Sequence, residues 1–295
     1  MTATTPAVID IIEPSKPLTR IVYEFARRNP TVIFGSALLL AMVFMAVFAP
    51  LFAPGDPLAL APARRLRPPS ETYWFGTDMF GRDVYTRTIY GARISLIVGI
   101  SVSLLSTVIG LTIGLLSGYV RAVDAVVMRI MDGLMAIPGI LLAIAMMALT
   151  KASVENVIIA ITIPEVPRVV RLVRGVVLQI REQPYIEAAQ SIGTRFHRIL
   201  LKHILPNIMA PLIVQATYIC AAAVLIEAGL SFLGAGTPPN IPSWGNIMAE
   251  GRTFFQIAFW IILFPGLFLS VTVLAINLLG DGLRDALDPR LARRM

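Results

Sequence analysis

Residues 94–116 read ISLIVGISVSLLSTVIGLTIGLL, twenty-three positions without one charged side chain. At about 1.5 Å of rise per residue, a helix of that length crosses the roughly 30 Å hydrocarbon layer of a bilayer. The block is too long for a buried strand, and backbone in lipid must satisfy its own hydrogen bonds, which a helix does unaided. Gly99, Gly110 and Gly114, with interleaved serines, let neighbouring helices approach closely. The stretch therefore predicts an all-α integral membrane protein.

Working outward, apolar blocks of similar length recur at residues 31–52, 126–149, 154–173, 208–228 and 257–279. With residues 94–116 they make six expected spans. The third carries Pro138-Gly139 at its middle, which predicts a kink. The fourth is interrupted by Pro164-Glu165-Val166-Pro167. Residues 229–255 are rich in Gly and Pro, too polar to span and too apolar for a plain loop, as in a re-entrant or surface-lying segment. Composition agrees: 56% of the 295 residues are hydrophobic and 15% charged, with a mean hydropathy of +0.76, so lipid is part of the solvent.

The expected organisation is an N-terminal cytoplasmic segment 1–30, a first transmembrane helix 31–53, an external connection 54–92, a five-helix domain 93–285 and a tail 286–295. Within 1–30, Leu18, Ile21, Val22 and Phe25 recur at helical spacing opposite Arg20, Glu24, Arg27 and Arg28, as in an interfacial helix. No short h-region resembles a cleaved signal, so the first span is expected to act as its own insertion signal.

The formal charge of +7 lies in short loops, without a basic domain interleaved with aromatics, which argues for topology and against a nucleic-acid partner. With both termini cytoplasmic, 17 Lys and Arg fall inside and 8 outside. Six of the eight lie between Arg64 and Arg93, and four acids there (Asp56, Glu71, Asp78, Asp83) are candidate partners. The single cysteine, Cys220, lies in an apolar block and reads as packing.

None of the lysines Lys16, Lys151 and Lys202 follows a glycine, so the chain has no phosphate-cradling Gly-Lys-Ser/Thr loop. His197 and His203 share one basic segment without a metal-ligand pattern. No metal site or cofactor is expected within the chain.

Residues 180–206 join the fourth and fifth spans. Pro184 opens a helix, Gly193 ends it with positive φ, and Thr194 is placed to cap a second helix. Ala188 and Ala189 keep the first helix slim enough for a partner's groove, and Glu187 offers a charge for a partner arginine. On the residues alone, an ordinary surface hairpin explains the pattern equally well.

Glu187-Ala188-Ala189, three residues, Gly193 and then Ile204-Leu205-Pro206 resemble the EAA motif of bacterial ABC importer permeases. Phe75-Gly76-Thr77-Asp78, Gly81-Arg82-Asp83, Tyr90-Gly91-Ala92-Arg93, Glu227 to Gly234, Pro242-Ser243-Trp244-Gly245 and Asn277 to Asp285 are similar to the C-type permease of dipeptide, oligopeptide and nickel importers. The resemblance implies a type I ABC importer transmembrane domain over 93–285, in a bacterial inner membrane. It also implies a homologous second permease, two ABC ATPase subunits that bind the ATP and Mg, and an extracytoplasmic substrate-binding protein. Glu187, Ala188, Ala189 and Gly193 would then couple to the ATPase, with ATP-driven alternating access and inward transport. Di- or oligopeptides are the expected substrates, with nickel or another small solute second. One departure is Pro164-Glu165-Val166-Pro167, where relatives tend to have an aromatic and a single proline.

Glu165 falls near the midplane of the fourth span, where a carboxylate either contacts a peptide amine or cation along the pathway, or is neutralised by Arg168 or a partner. Asp132, with Arg129 beside it, reads as a structural interhelical pair or as a gate. Glu227 and Trp244 lie toward the outer face, as binding-protein docking candidates or as loop packing. A self-sufficient secondary transporter or channel using Glu165 and Asp132 would show inverted repeats, which are not evident. An intramembrane enzyme would need a metal or Ser/Lys signature, which the sequence lacks.

Overall fold

The computed structural model describes residues 27 and 29–287. The expected interfacial helix lies outside these residues, as does the tail beyond its first two positions, which continue the last helix.

Among the described residues eleven α-helices follow in order. Helix α1 (Pro30–Val47) starts with proline in its first turn, where the missing N–H costs nothing, and a break at Phe48 precedes the single turn α2 (Ala49–Phe52). An irregular connection leads to α3 (Val84–Tyr119), whose 36 residues begin ten positions before the apolar block. Asp83 caps this helix, accepting from the backbone N–H groups of Tyr85 and Thr86 at 3.3 and 3.1 Å. Its polar first turns are covered by protein, not lipid, so hydropathy alone could not find them.

The kink expected at Pro138 is a full break. α4 (Arg121–Met135) and α5 (Gly139–Leu149) meet at 87°. Pro138 takes an extended conformation at ψ 126°, which ends one helix and launches the next. α6 (Val154–Arg181) corrects the expected interruption, running helically through both Pro164 and Pro167. It packs against α3, α5 and α9, and that packing holds the backbone where two N–H donors are missing.

The short α7 (Pro184–Ser191) and α8 (Phe196–Ile199) follow, and a π turn at Leu200–Ile204 passes into α9 (Leu205–Phe232). α10 (Trp244–Gly251) lies inside the segment expected to be re-entrant or surface-lying, and α11 (Trp260–Leu287) closes the chain. Four helices, α1, α3, α8 with α9, and α11, are long and apolar enough to cross a membrane, and α4 with α5 makes a fifth as one broken span. α6 completes six by length, its 28 residues reaching about 42 Å. Its charges set it apart in composition, and its central position means that little of it needs to face lipid.

The α3–α6 contact is the most extensive in the fold. Gly110, Gly114 and Gly118 of α3 face Val169, Val173 and Val177 of α6 in four-residue register. A Cβ on any of these glycines would fall within 2.4–2.7 Å of the valine Cβ opposite. α1 packs mainly along α11, with Gly35 and Gly282 allowing backbone-to-backbone approach.

Candidate functional site

The loop between α6 and α8 is built on one exposed corner. Ile186 and Ala189 of α7 point inward, Ile186 into the main apolar core with Ile180, Ile199, Leu200 and Ile204. That burial fixes the rotation of α7 and turns Glu187 and Ala188 outward. Gly193, at φ +78°, donates its N–H to the Gln190 carbonyl at 2.9 Å, and Thr194 donates to the Ala189 carbonyl at 3.0 Å. This pair of bonds is the Schellman arrangement, which satisfies the last carbonyls of α7. Thr194 is thus spent on finishing α7, and the residue expected to cap α8 is replaced there by Arg195, which makes no side-chain cap. Tyr185, Ile192 and Phe196 are exposed around the corner, Ile192 at 83%, leaving an apolar surface beside one carboxylate.

Tyr119, the last residue of α3, ties this corner to the bundle. Gln190 Nε2 donates to its hydroxyl at 3.1 Å, and Phe196 packs edge-on against its ring at 4.8 Å between centroids. Arg181, the last residue of α6, donates to the Gly118 carbonyl at 3.2 Å.

Asp132 is paired across helices, but with Arg171 of α6 at 2.6 Å and not with the adjacent Arg129. Arg129 lies one turn away on the same helix, whereas Arg171 is brought opposite by the α4–α6 crossing. Two turns earlier, Asp124 accepts from Arg174 at 2.5 and 2.7 Å in a bidentate pair. Glu165 is only 2% exposed and sits 3.3 Å from Arg168 on its own helix. In this conformation its carboxylate is closed off within the chain.

At the opposite end, Glu227 and Trp244 are both completely buried. Glu227 accepts from Ser95 of α3 at 3.2 Å and from Ser231 at 2.9 Å. Trp244 donates its indole N–H to the Thr88 carbonyl at 3.0 Å. Asn246 donates to the Thr237, Pro238 and Ile241 carbonyls, gathering the turns before α10. Trp244 thus fastens the segment to α3, and the Thr237 N–H, donating to the Ser231 hydroxyl at 3.3 Å, fastens it to α9.

Of the four acids expected as partners of the outer arginines, Asp78 is one, and Glu250, outside those four, is another. Asp78 accepts from Arg82 Nε at 2.6 Å and from Arg87 Nη1 at 2.7 Å, and Glu250 of α10 bonds both arginines. Asp83 serves as a helix cap, and Asp56 accepts from the Leu58 N–H. Arg93 donates to the carbonyls of Ala46 and Val47 at the end of α1. Sequence reasoning missed Glu250 and Tyr119. Glu250 is a lone acid in an outer segment, and Tyr119 has the character of an ordinary interfacial aromatic. Among the described residues no group of three or more His, Cys, Asp and Glu is placed to hold a metal.

Residues 106–293 match the family model of the binding-protein-dependent transport system inner membrane component, and residues 19–69 match that of the N-terminal TM domain of oligopeptide transport permease C. A probable peptide ABC transporter permease protein of Sinorhizobium fredii is 54% identical over 276 residues, 94% of each chain. A dipeptide transport system permease protein of Alkalihalophilus pseudofirmus is 44% identical, over 92% of this chain and 90% of that one. Among solved structures, a chain of the MetNI methionine ABC transporter superposes with a TM-score of 0.56 over 68% of this chain and 95% of its own, at 24% identity. The last is a likeness of fold.

Proposed function

We propose, from the premise that the chain belongs to the binding-protein-dependent transport system inner membrane component family, that it forms half of the pathway of an ATP-driven importer for di- or oligopeptides. It is a multi-pass membrane permease subunit and not itself an enzyme. The peptide assignment is supported by the relatives' names at 38–54% identity over most of the chain.

The observation that carries the mechanism is the α7 corner. Glu187 and Ala188 face outward on a helix whose rotation is fixed by Ile186 and whose end is fixed by Gly193. In this reading α7 seats in a cleft of an ABC ATPase subunit, where ATP and Mg are bound, and closure of the ATPase pair displaces α7 and the helices attached to it. A homologous second permease completes the pathway, and an external binding protein delivers substrate. Both termini are then cytoplasmic. The binding protein meets the surface around residues 233–251, which Glu227 and Trp244 hold from within. Asp132 ties α4 to α6 through Arg171, and Glu165 contacts substrate only if α6 separates from its neighbours during the cycle.

The test is Glu187→Ala in the complete importer reconstituted in liposomes. ATP hydrolysis should persist while uptake falls, with membrane insertion unchanged, and normal uptake would refute the coupling role. Binding of dipeptides, longer peptides and Ni(II) to the co-purified binding protein decides the substrate, and preference for Ni(II) would overturn the peptide assignment.

A further inference from the structure

The Asp124–Arg174 and Asp132–Arg171 pairs belong to a helix that has little else to hold it. Of the fifteen residues of α4, only Met131 is buried, in a small cluster with Val166 and Val170 of α6. α4 packs against α3 and α6, and both of those helices terminate at the 180–206 loop. α6 ends at Arg181, separated from α7 by two residues, and Arg181 itself holds the Gly118 carbonyl of α3. α3 ends at Tyr119, which Gln190 of α7 and Phe196 of α8 grip from two sides. Val120, the next residue, is the N-terminal cap position of α4.

We propose that α4 is the element the coupling loop moves: Tyr119, gripped by Gln190 and Phe196, and the pairs Asp124–Arg174 and Asp132–Arg171 lock α4 to the α6–α7 arm, so that displacement of α7 swings the α4–α5 elbow. This rests on the reading of α7 as the ATPase-docking helix and names the residues that pass its motion on. The Asp132–Arg171 pair is exposed and the bidentate Asp124–Arg174 pair half-buried; an exposed pair adds little to stability, and what the two supply together is register between two helices. Arg171 and Arg174 both lie on the face of α6 that meets α4, and their partners are two turns apart on α4, so the helices are tied at two heights. One tie would leave a pivot; two prevent rotation. The 87° elbow converts a shift of α4 along its own axis into a sideways displacement of α5, whose first residue, Gly139, lies against Pro164 of α6. Tyr119, Asp124, Asp132, Arg171 and Arg174 are thus positioning residues for gating.

The test uses the complete importer in liposomes and reads ATP hydrolysed per substrate imported. Asp124→Arg and Arg174→Asp should each raise that ratio by about three- to tenfold, and the double swap should return it to near the parent value. Tyr119→Phe, which keeps the ring but loses the Gln190 bond, should raise it less than Tyr119→Ala. A merely structural pair would lower protein yield without changing the ratio. For variants that do not assemble, paired spin labels at the exposed positions Ile130 and Ile192 in otherwise unaltered protein should keep their separation between nucleotide-free and ATP-trapped states. A separation that changes while α7 moves, or a double swap that fails to restore the ratio, overturns the relay. Glu187→Ala is measured in parallel: if it too leaves coupling intact, the docking assignment of α7 fails, and the relay with it.

Discussion

Gly114 of α3 and Val173 of α6 occupy one volume: a Cβ on the glycine would lie 2.7 Å from the valine Cβ. Gly110 with Val169 and Gly118 with Val177 repeat the relationship one turn to either side. Because lipid is as apolar as a side chain, such close packing replaces the hydrophobic effect as the force between helices.

Gly114→Leu should therefore separate the two helices at their shared centre and destabilise the fold by about 1–3 kcal/mol, the usual cost of overpacking. Thermal unfolding of the detergent-solubilised protein measures it. Val173→Ala in the same chain should recover part of the loss, and additive single effects would show that the two positions are not in contact.

Gly193→Ala tests backbone conformation and not space, since nothing lies within 4 Å of the added methyl. At φ +78° an L-residue costs about 1–2 kcal/mol, enough to fray the end of α7 without unfolding the bundle. Hydrogen exchange should rise at Gln190 to Thr194 while the core of α6 stays protected. Gly193→Asn should exchange less than the alanine variant, because asparagine tolerates the left-handed region.

Arg87 is entirely buried between Asp78 and Glu250. Arg87→Met keeps much of the volume but leaves the buried Asp78 with Arg82 alone, and removing one partner of such a cluster typically costs about 3–5 kcal/mol. The level of protein accumulated in membranes should drop sharply. Asp78→Asn with Arg87→Met should do better than Arg87→Met alone, since no charge is then stranded at that position.

Glu227→Leu should loosen residues 233–251 indirectly: it removes the acceptor that orients Ser95 and Ser231, whose hydroxyls in turn accept from the backbone N–H groups of Trp244 and Thr237 at 3.5 and 3.3 Å. Leaving those hydroxyls unsatisfied costs about 1–3 kcal/mol. Glu227→Gln, which retains one acceptor oxygen, should cost less. Limited proteolysis between Leu233 and Ser243 reports the loosening, and equal resistance in all three proteins would contradict it.

The spans were legible because lipid imposes length and apolarity on each of them separately. α6 and the first turns of α3 were harder to read for the opposite reason: protein surrounds them, so proline, glutamate and arginine are tolerated there. The α7 corner was readable from Pro184, Gly193 and the residues between, since its conformation is set locally. Ion pairs were not. Arg87 and Glu250 stand 163 positions apart, and Asp132 and Arg171 stand 39 apart, so no spacing rule links them. Glu227 and Trp244 were visible as residues of the outer segment, but only the three-dimensional arrangement places them beneath its surface.

α1 rests chiefly on α11, through contacts that leave no room for a side chain: a Cβ at Gly35 would lie 2.7 Å from the backbone nitrogen of Leu279, and one at Gly282 would lie 2.8 Å from that of Val32. Among the described spans, the earliest to leave the ribosome thus has its principal seat on the latest. At about 5–20 residues per second, α1 waits on the order of ten to fifty seconds in the bilayer before that seat is synthesised. During that interval its glycine face meets only lipid and whatever insertion machinery attends it. Full docking of α1 is accordingly a late step of biogenesis, and a chain cut short before α11 leaves this helix with only its lesser contacts on α3.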